Sequence, residues 1–543
     1  MRKTKIIVTL GPSVESENIM AKLIESGADV ARLNIAHGTV SYHQALAKRF
    51  RKVSKELGKN TAIMLDIKGP ELRVKRAKIR FLKAGDKIKI SDKGDLELNH
   101  NIYEFLNPDT RVLIHDGDLE LKMLENGFAE VLRGGPVREH MGVNVPGVNF
   151  PLQYIQERDV EFMKAISDVD FIAASFVRTP RDVITLREKM NELSLEADII
   201  AKIESQVGVD NIDDILEVSD GIMVARGDLG TEIPLENLPG VQKHLLRKTR
   251  FHGKPSIIAT QILESMIHSP HPTRAEVSDI ANAILDGGDA LMLSGETAIG
   301  KYPVDAVRIL ARVAERADEI LATRRREIEL KGTISESVSN SAVLLAREIK
   351  ANAILVLTKT GKTARLVSRH RVPMPIIAAS PNPRILRKLS LYWGVSAFEI
   401  GTINNTDRAV YEAMKVAENS GIVKKGDVLV ITGGEPSGVE GTTNFVWAQI
   451  LGDIVARGTG FGDKIVQGEI CRYPERCDVV VVERCVRDEC PTTKALVIES
   501  KIYDPQTLRE YVNRGSVILA GTGKIAEAKG MVIVDPFRGV IYK

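Results

Sequence analysis

The stretch IIAKIESQVGVDNIDDILEVSDGIMVARGDLG, Ile199 to Gly230, contains a strand, a helix-period segment and a second strand. Ile199, Ala201 and Ile203 alternate with Ile200, Lys202 and Glu204, so a period of two puts Lys202 and Glu204 on one face of an otherwise interior strand. QVGVDNIDDILEVS has helix spacing, and GIMVARGDLG returns as a strand with Asp228 at its exit. The unit is βαβ, with an ammonium and two carboxylates gathered at its strand ends.

Six further runs fit the same rhythm, KIIVTL, DVARLNI, AIMLDI and FIAASFV before it and SIIATQ and ALMLSG after it, which with its own two strands make eight. Six of the seven intervals among the eight strands are about 20 to 35 residues, right for a strand, a helix and a return loop. The third interval is much longer, and its short alternating runs split by Gly and Asp predict a small all-β insertion. Right-handed connections favour closing the eight parallel strands into an α/β fold of the (β/α)₈ barrel type. Downstream, NAILVL, MPIIAAS, VSAFEI and DVLVITG restart the βα rhythm as a second parallel sheet. The expected organisation is a barrel over 1–73 and 145–326, an inserted β-barrel lid over 74–144, an α/β C-domain over 327–454 and a mostly β extension over 455–543.

Bulk composition sets the class. The chain has 543 residues, 43% hydrophobic and 27% charged, with a net charge of +3, which gives no general nucleic-acid or membrane surface. IIVTL is too short for a signal-peptide core, and no apolar run approaches the length of a membrane span. Four cysteines in the whole chain are sparse usage, consistent with a reducing cytoplasmic setting.

In such a barrel the C-terminal strand ends form the active-site floor. Glu204 and Asp228 then sit at neighbouring strand ends, where two carboxylates and waters suit Mg²⁺. Lys202 faces a transferring group, the alternative being a buried Lys–Glu ion pair. ARLNIAHG delivers Arg32 and Asn34 on one face with His37 beyond, and LDIKGPELR puts Asp66, Lys68, Glu71 and Arg73 at the third exit. Arginine offers a planar fork to phosphate oxygens, so two of them at one rim read as a phosphate site; a ring of salt bridges is the plainer reading.

Thr273 and Glu276 form a capping box before a helix-period run, so they read equally well as caps alone. Thr260 and Ser294, at the ends of the last two strands, offer hydroxyls to the mouth. RGD at Arg226 to Asp228 is not an adhesion motif in an intracellular chain, and TKTGKT at Thr358 to Thr363 is not a P-loop, because the first glycine falls at Val356. The turn Thr358, Lys359, Thr360, Gly361, Lys362 and Thr363 nevertheless offers N–H groups and hydroxyls to a phosphate, against an ordinary βα turn.

Nine strings, including KTKIIVTLGP, ARLNIAHG, LDIKGPELR, AKIES, MVARGDLG, PTRAEVSDIANAILDG and LMLSGETAIGKYP, occur in the order of the pyruvate kinase family, which the chain resembles from about Lys3 to Asn444. The resemblance implies phosphoryl transfer from phosphoenolpyruvate to ADP, giving pyruvate and ATP, by a cytoplasmic glycolytic phosphotransferase. It implies Mg²⁺ or Mn²⁺ at Glu204 and Asp228, and Lys202 stabilising the phosphoryl group in flight. Arg32 and Arg73 contact phosphates, and Asn34, His37 and Tyr42 lie toward the nucleotide. Backbone N–H groups of Gly227 and Asp228 hold the substrate carboxylate, and Thr260 and Ser294 belong to the relay that protonates the enolate. A homotetramer and a phosphorylated effector at the Thr358–Thr363 turn are implied as well.

Departures bear on K⁺, whose expected ligands are Asn34, Asp66 and the backbone of Ile67. Ala36 stands where potassium-using members have serine, and Ile67 where they have threonine, yet Glu71 is the residue those members carry; the signals point opposite ways. Met141 replaces a lid lysine. The extension resembles the swivelling phosphohistidine domain of phosphoenolpyruvate-utilising enzymes, but no histidine follows His370, so a structural or interface role is expected. Cys471, Cys477, Cys485 and Cys490 fit no zinc pattern; unbridged thiols are the first reading, disulfides and a metal site the alternatives. Two other functions stay in view, a Mg²⁺-dependent aldolase or lyase of pyruvate enolate and a catalytically silent ligand sensor.

Overall fold

The structure is a computed structural model that describes residues 1–115, 117–148, 150, 152–323, 328–403, 405–434, 443–452, 454–485, 490–526, 528–537 and 539–543. Eight parallel strands close a barrel: β1 (Lys5–Thr9), β2 (Val30–Asn34), β3 (Ala62–Ile67), β4 (Phe171–Ala174), β5 (Asp198–Ile203), β6 (Gly221–Ala225), β7 (Ser256–Ala259) and β8 (Ala290–Leu293). Each pairs with its sequence neighbour, and β8 returns to β1 through Lys5↔Ala290 to Val8↔Leu293. All eight are the strands expected from the sequence.

Alternation explains both barrel faces. Ile7, Val30, Met64, Ala173, Ile200, Met223, Ile257 and Met292 fill the interior, while the alternate residues pack against the surrounding helices. Ile200 is interior, so Lys202, two residues on, points the same way toward the mouth. The opposite end is plugged from outside the barrel by Leu391, which joins the interior cluster and is wholly buried. Trp393 follows it, donating its indole N–H to Asp318 at 2.8 Å.

The long third interval carries an antiparallel five-stranded sheet built from Lys87–Lys89, Arg111–Ile114, Leu119–Met123, Phe128–Arg133 and Val143–Asn144, around its own apolar core. The C-terminal α/β unit has strands β9 (Ala353–Leu357), β10 (Ile376–Ser380), β11 (Val395–Glu399), β12 (Val428–Gly433) and β13 (Phe445–Ile450). Their spatial order is β11-β10-β9-β12-β13, parallel except for β13. The βα rhythm predicts no such antiparallel edge strand; Phe445 follows Gly433 too closely in sequence for the crossover that a parallel neighbour needs.

The last segment forms a mixed eight-stranded sheet that carries the helix Pro505–Asn513, and docks through Ile533, Val540 and Tyr542 onto Ile450 of β13. Its cysteines correct the first reading of the sequence. They are bridged as Cys471–Cys477 and Cys485–Cys490, with Cα atoms 6.1 and 5.5 Å apart, within disulfide reach. Among the described residues no helix is long and apolar enough to cross a membrane.

Candidate active site

The polar face of β5 opens at the mouth as the period of two requires. Lys202 Nζ lies 2.9 Å from Glu204 Oε1 and 3.3 Å from Asp66 Oδ1, and donates to Ser175 Oγ at 2.7 Å. Burial pushes the pKa of Lys202 down, but Asp66 and Glu204 more than offset it, so the ammonium is held above its usual range. Asp66 is the mirror case: burial raises its pKa, and Lys202 and Arg32 bring it below the ordinary value. The other oxygen of Glu204 accepts the Phe176 N–H at 2.6 Å, which fixes the carboxylate without neutralising it.

Arg32 is nearly buried, donating from Nε to Asp66 Oδ2 at 2.7 Å and from Nη1 to Thr9 Oγ1 at 3.1 Å. Asn34 pairs in register with Asp66, and its Oδ1 accepts the Ala36 N–H at 3.2 Å. The carbonyl of Ile67 accepts the Ser175 hydroxyl at 2.7 Å. Arg73 is drawn elsewhere: it pairs with Glu71 at 2.6 Å and donates to the carbonyl of His140, across the seam with the inserted sheet. Arg32 and Arg73 therefore share no partner among the described residues.

His37 is exposed just past β2. Tyr42 donates its hydroxyl to Glu15 at 2.7 Å; burial, then that carboxylate, push the phenol up to about 12.

Asp228 lies in the first turn of the helix Arg226–Glu232, and shares a cleft with Glu204, Phe176, Arg178 and Glu232, which Glu71 and, from the inserted unit, Asn144 also line. The Gly227 N–H donates to Thr260 Oγ1 at 2.9 Å, and that hydroxyl donates to the Ala259 carbonyl at 2.6 Å. Thr260 and Gln261 have φ of 67° and 53°, a left-handed backbone that side chains rarely adopt. Arg226 holds the pair by donating to both carbonyls, at 2.8 and 3.2 Å, while salt-bridged to Asp279 at 2.7 Å. Strain of this kind gathers at sites that need a fixed geometry. Ser294 donates its N–H to Glu296 Oε2 at 2.7 Å, leaving its side chain half-buried.

Thr273 and Glu276 do form the reciprocal cap, and Glu276 also accepts from both the N–H and the hydroxyl of Ser265. At the downstream turn, Gly361 has φ of 83° and donates to Thr358 Oγ1 at 2.9 Å. Thr363 is buried against Thr443, oxygen to oxygen 2.7 Å, so Lys359, Thr360 and Lys362 are the turn's exposed members.

Two residues of the site escaped the sequence reading. Ser175 touches Lys202, Asp66 and Ile67, and its position directly after β4 was the available signal. Glu232 lines the cleft; burial pushes its carboxyl up to about 7, partly offset by Asn144.

Residues 1–307 match the family model described as pyruvate kinase, barrel domain, and residues 336–447 match pyruvate kinase, alpha/beta domain. A pyruvate kinase of Bacillus licheniformis is 43% identical over 496 residues, covering 87% of this chain and 84% of that protein. One of Sporosarcina psychrophila is 42% identical over 526 residues, covering 90% and 89%. The crystal structure of a pyruvate kinase from Cryptosporidium parvum superposes with a TM-score of 0.77 at 34% identity, covering 83% of this chain and 96% of that one. With its barrel, its α/β unit and most of its length so matched, the chain belongs to the pyruvate kinase family, phosphotransferases that act on phosphoenolpyruvate and ADP and use a divalent metal.

Proposed function

We propose that the barrel mouth performs this transfer with Lys202 at its centre, supported by one observation above the rest: the Lys202 ammonium stands between Asp66 and Glu204, and Glu204 in turn lines a cleft with Asp228. Glu204 and Asp228 are hard oxygen donors on neighbouring strand exits, a donor set that fits Mg²⁺ or Mn²⁺, which need few protein ligands. A cation held by Glu204 and Asp228 would supply positive charge for the phosphoryl oxygens.

Lys202 meets the phosphoryl group as it passes from the enol oxygen of phosphoenolpyruvate to the terminal phosphate oxygen of ADP, a step that asks for positioning and positive charge rather than a nucleophile. Arg32 orients phosphate from the other side of Asp66. Arg73, released from Glu71, reaches phosphate from the seam, and His37 and Tyr42 face the nucleotide. The Gly227 and Asp228 N–H groups take the substrate carboxylate once the Thr260 hydroxyl gives up the Gly227 N–H. Thr260 and Ser294 then pass the proton that the enolate carbon needs to become pyruvate.

For K⁺, Asn34, Asp66 and the Ile67 carbonyl are the oxygen set, and Ala36 supplies no hydroxyl, so we propose weakened K⁺ binding. The exposed Thr360 and Lys362 support a phosphorylated effector at the turn. A homotetramer and a cytoplasmic setting are proposed on the family likeness. The docked, histidine-free extension, a phosphohistidine-domain relative in this reading, serves structure or interface. Mn²⁺ binding, followed by water proton relaxation, tests the metal site: Glu204→Gln and Asp228→Asn should each abolish the enhancement along with turnover. Retained Mn²⁺ binding in both folded variants would contradict it.

A further inference from the structure

Past the end of β4 the chain turns through Ser175, Phe176, Val177 and Arg178, and the two ends of this turn hold different things. At its start, the Ser175 hydroxyl accepts from Lys202 at 2.7 Å, and the Phe176 N–H donates to Glu204 Oε2 at 2.6 Å. At its end, Arg178 grips Phe150. Its Nη1 donates to the Phe150 carbonyl at 3.0 Å, and the guanidinium lies over the ring, 5.4 Å from the centroid. Phe150 is buried in the apolar core of the inserted unit, on the limb by which the chain leaves that unit for the barrel. The same limb meets the turn again, where the Tyr154 hydroxyl donates to the Ser175 carbonyl at 2.9 Å.

Other contacts hold the turn in one shape. Phe176 has φ of 54°, a left-handed backbone that persists only where the surroundings impose it. The Arg178 N–H donates to Asp182 Oδ2 at 2.9 Å, and its carbonyl accepts from the Asn211 side chain at 3.0 Å. Beneath Val177, a Cβ on Gly208 would stand only 2.7 Å from the Val177 carbonyl, so the chain that follows Glu204 packs directly on the turn. Nε of Arg178 is buried without a partner among the described residues. An unmade hydrogen bond of a charged group costs stability, so stability alone does not account for an arginine here.

We propose that Arg178 is a positioning residue for Glu204. It takes its place from Phe150 of the inserted unit, and the turn carries that placement to the Phe176 N–H, which sets the Glu204 carboxylate. The inference rests on the reading of Glu204 as a ligand of the divalent metal. Arg178, Phe176 and Glu204 line one cleft, where Glu232 also accepts from Asn144 of the inserted unit. The seating of the inserted unit is thereby linked to affinity for the metal, since outer groups that orient a ligating carboxylate are worth about 10- to 100-fold in binding.

Mn²⁺ titration of the full-length protein without substrate, read by water proton relaxation, tests the link. Arg178→Gln should raise the Mn²⁺ dissociation constant about tenfold, while kcat at saturating Mn²⁺ stays within about twofold of wild type. Phe150→Leu keeps the carbonyl but loses the ring, and should weaken Mn²⁺ by a smaller factor. In the double variant the two losses should not multiply, because both substitutions break one line of contacts. Wild-type Mn²⁺ affinity in Arg178→Gln, folded by circular dichroism, or losses that multiply in the double variant, overturns the role of Arg178. If Arg178→Gln does not fold, wild-type affinity in Phe150→Leu overturns it instead. Mn²⁺ binding unchanged in Glu204→Gln removes the metal-site reading, and this inference with it.

Discussion

Lys202 Nζ rests 2.7 Å from Ser175 Oγ, and that hydroxyl is itself tied to the Ile67 carbonyl at 2.7 Å. Three adjacent strands, β3, β4 and β5, are thus locked behind one ammonium. Ser175→Ala removes the lock without touching charge. We expect kcat to fall about tenfold, the worth of one hydrogen bond to a charged group, with KM for phosphoenolpyruvate near its wild-type value. Steady-state kinetics decide it; an unchanged kcat would show that the carboxylates alone position Lys202.

Lys202 and Glu204 were visible in the sequence because a period of two leaves no other face for them, and the eight strands were visible because buried parallel strands are continuous apolar runs. The cap at Thr273 and Glu276 was legible because its hydrogen bonds are local. What was hidden depends on distant chain. Arg73 is turned toward the inserted unit by His140, and Thr363 is buried by Thr443, 80 residues on. Leu391 plugs the barrel from another unit, which no local pattern announces. Ser175 gains its role from Lys202 and Asp66 on other strands, which its own run FIAASFV does not show. The cysteine spacing said nothing of pairing, because it is the Cα separations of 6.1 and 5.5 Å, not the sequence intervals, that let the sulfurs join.

Ala36 follows Asn34 closely enough that its N–H donates to the Asn34 side chain at 3.2 Å. A hydroxyl there would add an oxygen beside Asn34 and Asp66. Ala36→Ser is expected to lower the K⁺ concentration for half-maximal activity severalfold, read from turnover against K⁺ at constant ionic strength. An identical K⁺ response in both proteins would place the ion elsewhere.

Glu232 Oε1 accepts the Asn144 side-chain N–H at 3.4 Å, joining the barrel to the inserted sheet. Burial raises its carboxyl from 4.5 to about 7, offset in part by Asn144, Arg178 and the Gly147 N–H. Between those values the folded protein keeps a proton that the unfolded chain has released. The resulting stability is full below pH 4.5 and is lost as pH rises through 7. Relative to Glu232→Gln, the wild-type thermal midpoint should therefore decline from pH 5 to pH 8. A constant offset across that range would mean that the carboxyl titrates normally.

The two disulfides close short loops, six and five residues apart in sequence. Loop entropy gives about 2 kcal/mol for each. All four cysteines should resist alkylation in the native, unreduced protein and react after reduction in denaturant, as counted by mass spectrometry. Reduction should also lower the melting temperature of the extension. Four alkylated cysteines without reductant would contradict the bridging.

The most direct measurement is pyruvate formation from phosphoenolpyruvate and ADP with Mg²⁺, comparing wild type with Lys202→Met. The wild type should form pyruvate only when ADP is present, and the variant should lose about 10²–10³ in kcat or more, the cost of removing a transition-state charge partner. A folded variant that turns over at the wild-type rate would contradict the central place given to Lys202.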